Sequence, residues 1–370
     1  MNYRKFSNLV EEISALGFGA MRLPVVGEDK HIDEAEAIKM IRHSIDMGIN
    51  YVDTAYPYHS GESELVVGKA LKDGYREKTF LATKCPVWKI EKEEDFELLL
   101  EEQLNKLQVE KIDFYLLHAL DKDRLENKIK KFDLIKHMEK AKADGKISYI
   151  GFSFHDELNV FKEIVDYYDK WDFCQIQLNY INTDYQAGLE GLEYAANKGI
   201  GVIVMEPLLG GKLADPYENV ASVLSDKKNP VEWALDFVWN RPEVALLLSG
   251  MSTMEQVENN LIYASRSNAG MLDAKEIEMF QETKKVFDTQ ALVRCTKCAY
   301  CMPCPFGLNI PDLFETYNAS AAVGLEKAKE TYDSFEVKAN QCKTCRQCEK
   351  ECPQHIEISK VMKDVSKLFV

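Results

Sequence analysis

The densest chemistry in this chain lies in eight cysteines near its C-terminus, Cys295, Cys298, Cys301 and Cys304, then Cys342, Cys345, Cys348 and Cys352. Three thiolates at successive two-residue intervals can each meet one corner of an iron-sulfur cubane, and a fourth followed by proline usually reaches across to a neighbouring cluster. Cys304 precedes Pro305 and Cys352 precedes Pro353, so the two groups read as a cross-ligated pair of 4Fe-4S sites. The first group departs from the bacterial run, because two residues and not three separate Cys301 from Cys304. If a single cluster assembles, Cys342, Cys345 and Cys348 are expected among its ligands. Structural zinc would leave the extra thiolate of each run without a role. A disulfide framework belongs to small secreted domains, whereas this chain has 370 residues and opens on MNYRKFSNLV, too polar for a signal peptide. A reducing, cytoplasmic setting with little oxygen is the expectation.

A second group is legible further upstream: Asp53, Tyr58, Lys84 and His118. A tyrosine hydroxyl, with a reference pKa of about 10, donates a proton poorly at neutral pH unless its anion is made easier to form. A buried lysine ammonium does that, an aspartate holds the lysine charged, and a histidine can orient a substrate carbonyl. These are the parts needed to protonate a carbonyl oxygen while a hydride reaches its carbon.

What must position them is a set of short apolar runs: Ala15 to Met21, Asn50 to Thr54, Thr79 to Lys84, Ile112 to His118, Ile147 to Ser153, Phe173 to Leu178, Gly201 to Met205 and Val244 to Ser249. Between most of them lie amphipathic stretches: Asp33 to Met47, Glu93 to Leu107, Leu125 to Ala143, Glu157 to Tyr168, Tyr185 to Asn197 and Pro230 to Asn240. Asp33 with Glu36, and Asn229 before Pro230, mark helix starts; Gly48 and Gly145 mark stops. Strands alternating with crossover helices predict an α/β fold, a parallel (β/α)8 TIM barrel, with its site at the C-terminal strand ends. Asp53, Lys84, His118 and Ser153 fall at such ends, Gln175 and Gln177 lie within the sixth strand, and Ser249 closes the eighth. Ala274 to Leu292 reads as a helix leading out of the barrel. Between the cysteine groups, Asp312 to Tyr317 and Leu325 to Tyr332 suit helix, so a small, mostly α-helical ferredoxin-like domain is expected. The division is placed at 1–285 and 286–370.

The first 265 residues or so resemble the aldo/keto reductase family, through LGFGAMRLP, NYVDTAYPYHSGESE, FLATKCP, DFYLLHAL and LSGMSTMEQVENNL. The resemblance puts the family's catalytic tetrad on Asp53, Tyr58, Lys84 and His118, with Tyr58 preferred to Tyr56 because it stands five residues after the aspartate. It implies NADP or NAD lying across the barrel mouth without a Rossmann domain. Ser153 and Gln175 match residues that hold the carboxamide, while Phe154 stands where the family has asparagine. Met205 takes the place of the residue that stacks on the nicotinamide ring. Leu208, Gly210 and Lys212 would line the pyrophosphate, and Gly250, Ser252, Gln256 and Asn260 the adenosine end. The arginine that often reads a 2′-phosphate is not evident in GMSTMEQ. The C-terminal segments CTKCAYCMPCPFGLNIP and CKTCRQCEKECPQHIEI resemble the dicluster ferredoxin modules fused to a subgroup of these reductases.

His31, His43 and His137 read as surface residues, and His59 and His155 as loop residues at the barrel mouth. Cys85 and Cys174 read as buried apolar-like thiols, and Trp88 and Trp171 as packing or pocket residues. Hydrophobic residues make up 46% and charged ones 29%, as in a globular protein with a sizeable core, and the net charge is −15. That charge argues against nucleic acid and anionic membranes as partners. A small-molecule carbonyl substrate, and a ferredoxin or other electron-transfer protein, remain as partners. No apolar stretch approaches the roughly 20 residues that span a bilayer. Hydride chemistry moves two electrons and a cluster moves one, so direct coupling needs a flavin or similar group; no flavin signature is present. Three readings compete: a reductase with structural or redox-sensing clusters, a reductase linked to ferredoxin-like electron transfer, and an electron carrier or redox-responsive binding module whose barrel is a scaffold.

Overall fold

The computed structural model describes residues 1–6, 12–27 and 31–369. Its barrel strands are β1 (Leu16–Gly19), β2 (Tyr51–Asp53), β3 (Phe80–Cys85), β4 (Ile112–Leu120), β5 (Ile147–Phe154), β6 (Phe173–Gln177), β7 (Gly201–Met205) and β8 (Val244–Gly250). They close in sequence order, every neighbour parallel, with β8 returning to β1. Parallel strands covered on both faces tolerate no solvent side, and β4 is accordingly buried along its whole length.

The intervening helices include α1 (Glu34–Asp46), α2 (Ser63–Ala70), α3 (Glu94–Leu107), α4 (Leu134–Ala143), α5 (Leu158–Tyr167), α6 (Gly188–Asn197), α7 (Pro230–Trp239) and α8 (Met254–Ser265). Asp33 caps α1 by accepting from the Glu36 amide, and Asn229 accepts from the Glu232 amide at the start of α7. One expected helix is broken. The stretch from Leu125 to Ala143 divides into a π-helical turn, Leu125–Lys130, and α4, with Asp133 between them in the left-handed region at φ 46°. Ile129, Phe132 and Leu134 are all buried; their spacing fits no single α-helical stripe, and the break lets each reach the core.

A floor seals the N-terminal end of the barrel. Tyr3–Lys5 pairs antiparallel with Glu12–Ser14, and Phe6 and Ile13 join Tyr51, Phe114, Phe173 and Leu246 in one apolar cluster. The Phe114 ring lies 4.8–5.8 Å from those of Phe6, Tyr51, Phe80, Tyr149 and Phe173. Gly201 admits Phe6, since a Cβ there would come within 2.3 Å of that ring. Three-residue strands are too short for an alternation to show, and the hairpin has no counterpart among the expected strands.

The chain divides into two compact units, Met1–Pro207 with Leu235–Met271, and Leu208–Ala234 with the chain from Leu272 onward. The first holds the barrel. The second has helices α9 (Ala274–Asp288), α10 (Ile310–Ala322), α11 (Leu325–Ser334) and α12 (Ile358–Phe369), and no strand among its described residues. Its core joins Leu308, Leu313, Phe314, Tyr332, Met362, Val365 and Phe369, with Tyr332 stacked on Phe369 at 4.6 Å. Among the described residues no helix is long and apolar enough to cross a membrane.

Candidate functional site

Parallel pairing brings the ends of β2, β3 and β4 side by side, so Asp53, Lys84 and His118 converge although they are far apart in sequence. Tyr58 arrives from the turn after β2. His59 and Ser60 take left-handed conformations there (φ 48° and 53°), followed by Gly61 at φ 94°, and the chain reverses into α2. All four side chains are buried, with exposures of 2% for Asp53, 8% for Tyr58, 0% for Lys84 and 4% for His118.

The Lys84 ammonium donates to Asp53 Oδ1 at 2.6 Å and to the Thr54 carbonyl at 2.9 Å, and stands 3.5 Å from the Tyr58 hydroxyl. The Tyr58 and His118 rings meet edge to face at 6.3 Å, and Trp88 lies 5.2 Å from His118. Burial pushes the Asp53 carboxyl up and the Lys84 ammonium down, and each opposes the other's shift by attraction. Burial, then the nearby charges of Lys84, Arg124 and His155, hold His118 well below the usual imidazole range. His118 is therefore neutral at physiological pH and can offer an N–H to a carbonyl oxygen. Asp53 Oδ2 and His118 Nδ1 have no partner among the described residues.

Register continues the site around the barrel. Ser153 pairs with Gln175 across β5 and β6, and Gln177 with Met205 across β6 and β7. Ser153 Oγ accepts from the Ala119 amide at 2.7 Å, and Gln175 Nε2 approaches Met205 Sδ at 3.4 Å. Gln175 Oε1 is buried without a partner among the described residues. A carboxamide N–H would satisfy it, so these residues fit a nicotinamide. Phe154, by contrast, packs on Phe161 at 5.1 Å and supplies no amide. At the end of β8, Ser252 Oγ donates to the Arg22 carbonyl, Gln256 Oε1 accepts from the Ser252 amide, and Asn260 Nδ2 donates to Ser249 Oγ. Arg22, unremarked in the sequence, lies against Gly250, where a Cβ would come within 2.7 Å of its Cγ.

Leu208, Gly210 and Lys212 belong to the second unit. Gly210 (φ 66°) presses on the segment between two of the cysteines, and a Cβ there would stand 2.0 Å from the Thr296 carbonyl oxygen. In this unit Cys295, Cys298, Cys301 and Cys352 line one cavity with Ile310, Phe314 and Ile358. The fourth cysteine of the second run thus reaches across to the first three. Burial and the neighbouring thiols push Cys301 up to about 12, and burial, Glu349, Cys342 and Cys345 push Cys348 up to about 11. Such sulfurs become thiolates together only around cationic metal. Among the described residues no three His, Cys, Asp or Glu side chains converge as ligands of a single metal ion. Four thiols lining one cavity suit a cluster.

Other residues fall where their patterns placed them or are more constrained than expected. Trp171 is core, donating from Nε1 to the Ile164 carbonyl. Cys85 and Cys174 are fully buried, and burial raises both thiols. His59 accepts from the Leu23 amide, and His155 meets Gln186 at 3.2 Å. Sequence reasoning passed over Ser63 and Glu64, because α2 was not foreseen; a glutamate on the buried side of SELVVGKA was the available signal. It also passed over Gln103, a polar residue on the buried face of the expected α3.

The Aldo/keto reductase family profile matches residues 15–285, and that of a 4Fe-4S dicluster domain matches residues 294–357. L-galactose dehydrogenase of Arabidopsis thaliana is 29% identical over 308 residues, 76% of this chain and 91% of the relative. The holo form of aldo-keto reductase AKR11C1 from Bacillus halodurans superposes with a TM-score of 0.65 at 26% identity, covering 76% of this chain and 96% of that one. An aldo/keto reductase from Klebsiella pneumoniae in complex with NADP and acetate gives a TM-score of 0.61 at 21% identity, over 76% of this chain and 94% of its own, a likeness of fold.

Proposed function

The chain belongs to the aldo/keto reductase family, with a 4Fe-4S dicluster domain following in the sequence, and we propose that it reduces a small-molecule carbonyl to an alcohol with Tyr58 as proton donor. The observation that carries this reading is the Lys84 ammonium, held at 2.6 Å by Asp53 and 3.5 Å from the Tyr58 hydroxyl. A reduced nicotinamide, once bound, supplies the electron pair as hydride to the carbonyl carbon. Tyr58 gives its proton to the carbonyl oxygen as negative charge develops there, and Lys84 stabilises the phenolate left behind. Asp53 keeps Lys84 charged and in place. Neutral His118 donates to the carbonyl oxygen and fixes its direction, with Trp88 bounding the space beside the imidazole. Ser153, Gln175 and Met205 would hold the nicotinamide, Gln175 through its unpartnered Oε1. Leu208, Gly210 and Lys212 would hold the pyrophosphate, and Gly250, Ser252, Gln256 and Asn260 the adenosine end; the Klebsiella protein's bound NADP favours the phosphorylated form.

Changing Tyr58→Phe tests the reading. Carbonyl-dependent loss of reduced-nicotinamide absorbance should fall by about 10²–10⁴-fold, the usual worth of a general acid, and survival of turnover would exclude Tyr58 as donor.

For the clusters we favour an anchoring role. Iron-sulfur clusters exchange electrons singly, and what supports anchoring is the packing of Gly210 on Thr296, between Cys295 and Cys298. Cys298→Ser should therefore weaken NADPH binding, measured by fluorescence titration of the anaerobically purified protein. Unchanged binding in a protein that has lost the first cluster would redirect the clusters' role to electron transfer.

A further inference from the structure

Behind the tetrad lies a buried carboxylate that the proposed mechanism does not use. Glu64 sits in the first turn of α2 with no exposed surface. Its Oε1 accepts from Thr83 Oγ1 at 2.7 Å and from Gln103 Nε2 at 2.5 Å. Its Oε2 has no hydrogen-bond partner among the described residues, and Lys106 Nζ on α3 stands 3.8 Å from it. A buried carboxylate so weakly compensated is costly, and a site that retains one draws attention to what surrounds it.

Two sets of hydrogen bonds connect the Ser63–Glu64 pair to Lys84. Thr83 immediately precedes Lys84 on β3, and Gln103 Nε2 donates to the Lys84 carbonyl at 3.1 Å while its Oε1 accepts from Tyr115 on β4 at 2.7 Å. The Lys84 main chain is therefore held from the side through Glu64, Gln103 and Tyr115. Ser63 Oγ donates to the Ala20 carbonyl at 3.0 Å and accepts from Thr54 Oγ1 at 2.8 Å, and the Thr54 carbonyl receives the Lys84 ammonium. The amino group and the backbone of Lys84 are thus both fixed from the start of α2.

We propose that Glu64 is a positioning residue for proton transfer: its carboxylate fixes the Thr83–Lys84 backbone and supplies a second negative charge, after Asp53, to the Lys84 ammonium. It acts on Tyr58 only through Lys84, and its kinetic consequence rests on the reading of Tyr58 as proton donor. The groups facing Lys84 are Asp53 from β2, Tyr58 from the turn after it, Glu64 from α2 and His118 from β4. Those facing Glu64 are Thr83, Gln103, Glu102, Lys106 and Tyr115. Attraction to Glu64 raises the Lys84 pKa against burial. Without that charge Lys84 loses its proton at lower pH, and the falling basic limb of the rate profile moves to lower pH with it.

Glu64→Gln keeps the shape and an acceptor for Thr83 but carries no charge. Lysine-Cε NMR of the full-length protein, with the Lys84 signal assigned as the one missing from Lys84→Met, should show its titration shifted down by about one unit. The basic limb of kcat should follow, with NADPH affinity within twofold of wild type. Thr83→Val, which keeps the side-chain shape but removes the hydroxyl held by Glu64, should lower kcat with NADPH affinity within twofold of wild type; it decides the matter if Glu64→Gln does not fold. A Lys84 titration unmoved in Glu64→Gln, or an unchanged kcat in Thr83→Val, overturns the proposal. Absence of turnover in the wild-type protein instead overturns the carbonyl-reductase reading, and the NMR titration still decides the role of Glu64.

Discussion

Lys84 is tied to both halves of the barrel site, and its partners differ in what their loss would do. Asp53→Asn leaves a fully buried ammonium without its hydrogen-bonded counter-charge. Breaking a buried pair from one side costs about 3–5 kcal/mol, so a lower urea midpoint is expected as well as lost turnover. His118 makes a separate prediction about pH. Its folded pKa lies well below the ordinary 6.5 because of burial, so below that pH the unfolded chain binds a proton that the folded chain refuses. Stability then falls as pH drops through the unfolded value. Replacing His118 by Asn should remove about 1 kcal/mol of the stability difference between pH 7.5 and 5.5, measured as the change in urea unfolding between wild type and variant. The convergence of Asp53, Lys84 and His118 was legible because each ends an apolar run that becomes a neighbouring parallel strand. The Thr54 carbonyl was not, since a backbone acceptor leaves no mark on the residue type.

At the level of elements, the eight strands could be read because a strand buried on both faces needs an unbroken apolar run. Elements of few residues, or with polar residues on their inner face, could not. The floor hairpin is an example of the first, and α2, which buries Ser63 and Glu64 together with Val66 and Val67, of the second. The seating of α2 depends on Gly68, where a Cβ would stand 2.5 Å from the Leu107 carbonyl oxygen at the end of α3. Gly68→Ala should push α2 from α3 at a cost of about 1–3 kcal/mol, seen as a lowered urea midpoint, and should lower kcat through the displaced Ser63–Glu64 pair. An unchanged midpoint with normal kcat would mean that α2 tolerates the shift and does not set the position of Lys84.

Across the whole molecule, the two cysteine runs do not correspond to two independent sites. Cys352 shares its cavity with Cys295, Cys298 and Cys301. Cys352→Ser should therefore damage the same cluster as Cys298→Ser, giving matching electron paramagnetic resonance losses on reduction, while Cys345→Ser affects the other signal. If Cys352→Ser instead matches Cys345→Ser, the cross-ligation is wrong. What the sequence determined by itself was chemical: cysteines enough for clusters, residue types that can transfer a proton, and the alternation that closes a parallel barrel. These follow from residue type and local period, which a linear chain carries explicitly. The crossing of Cys352 was also legible, from the proline that follows it. Tertiary structure alone decided that Gly210 rests on Thr296 and that Glu64 stands behind Lys84, because each depends on the distance between residues remote in sequence.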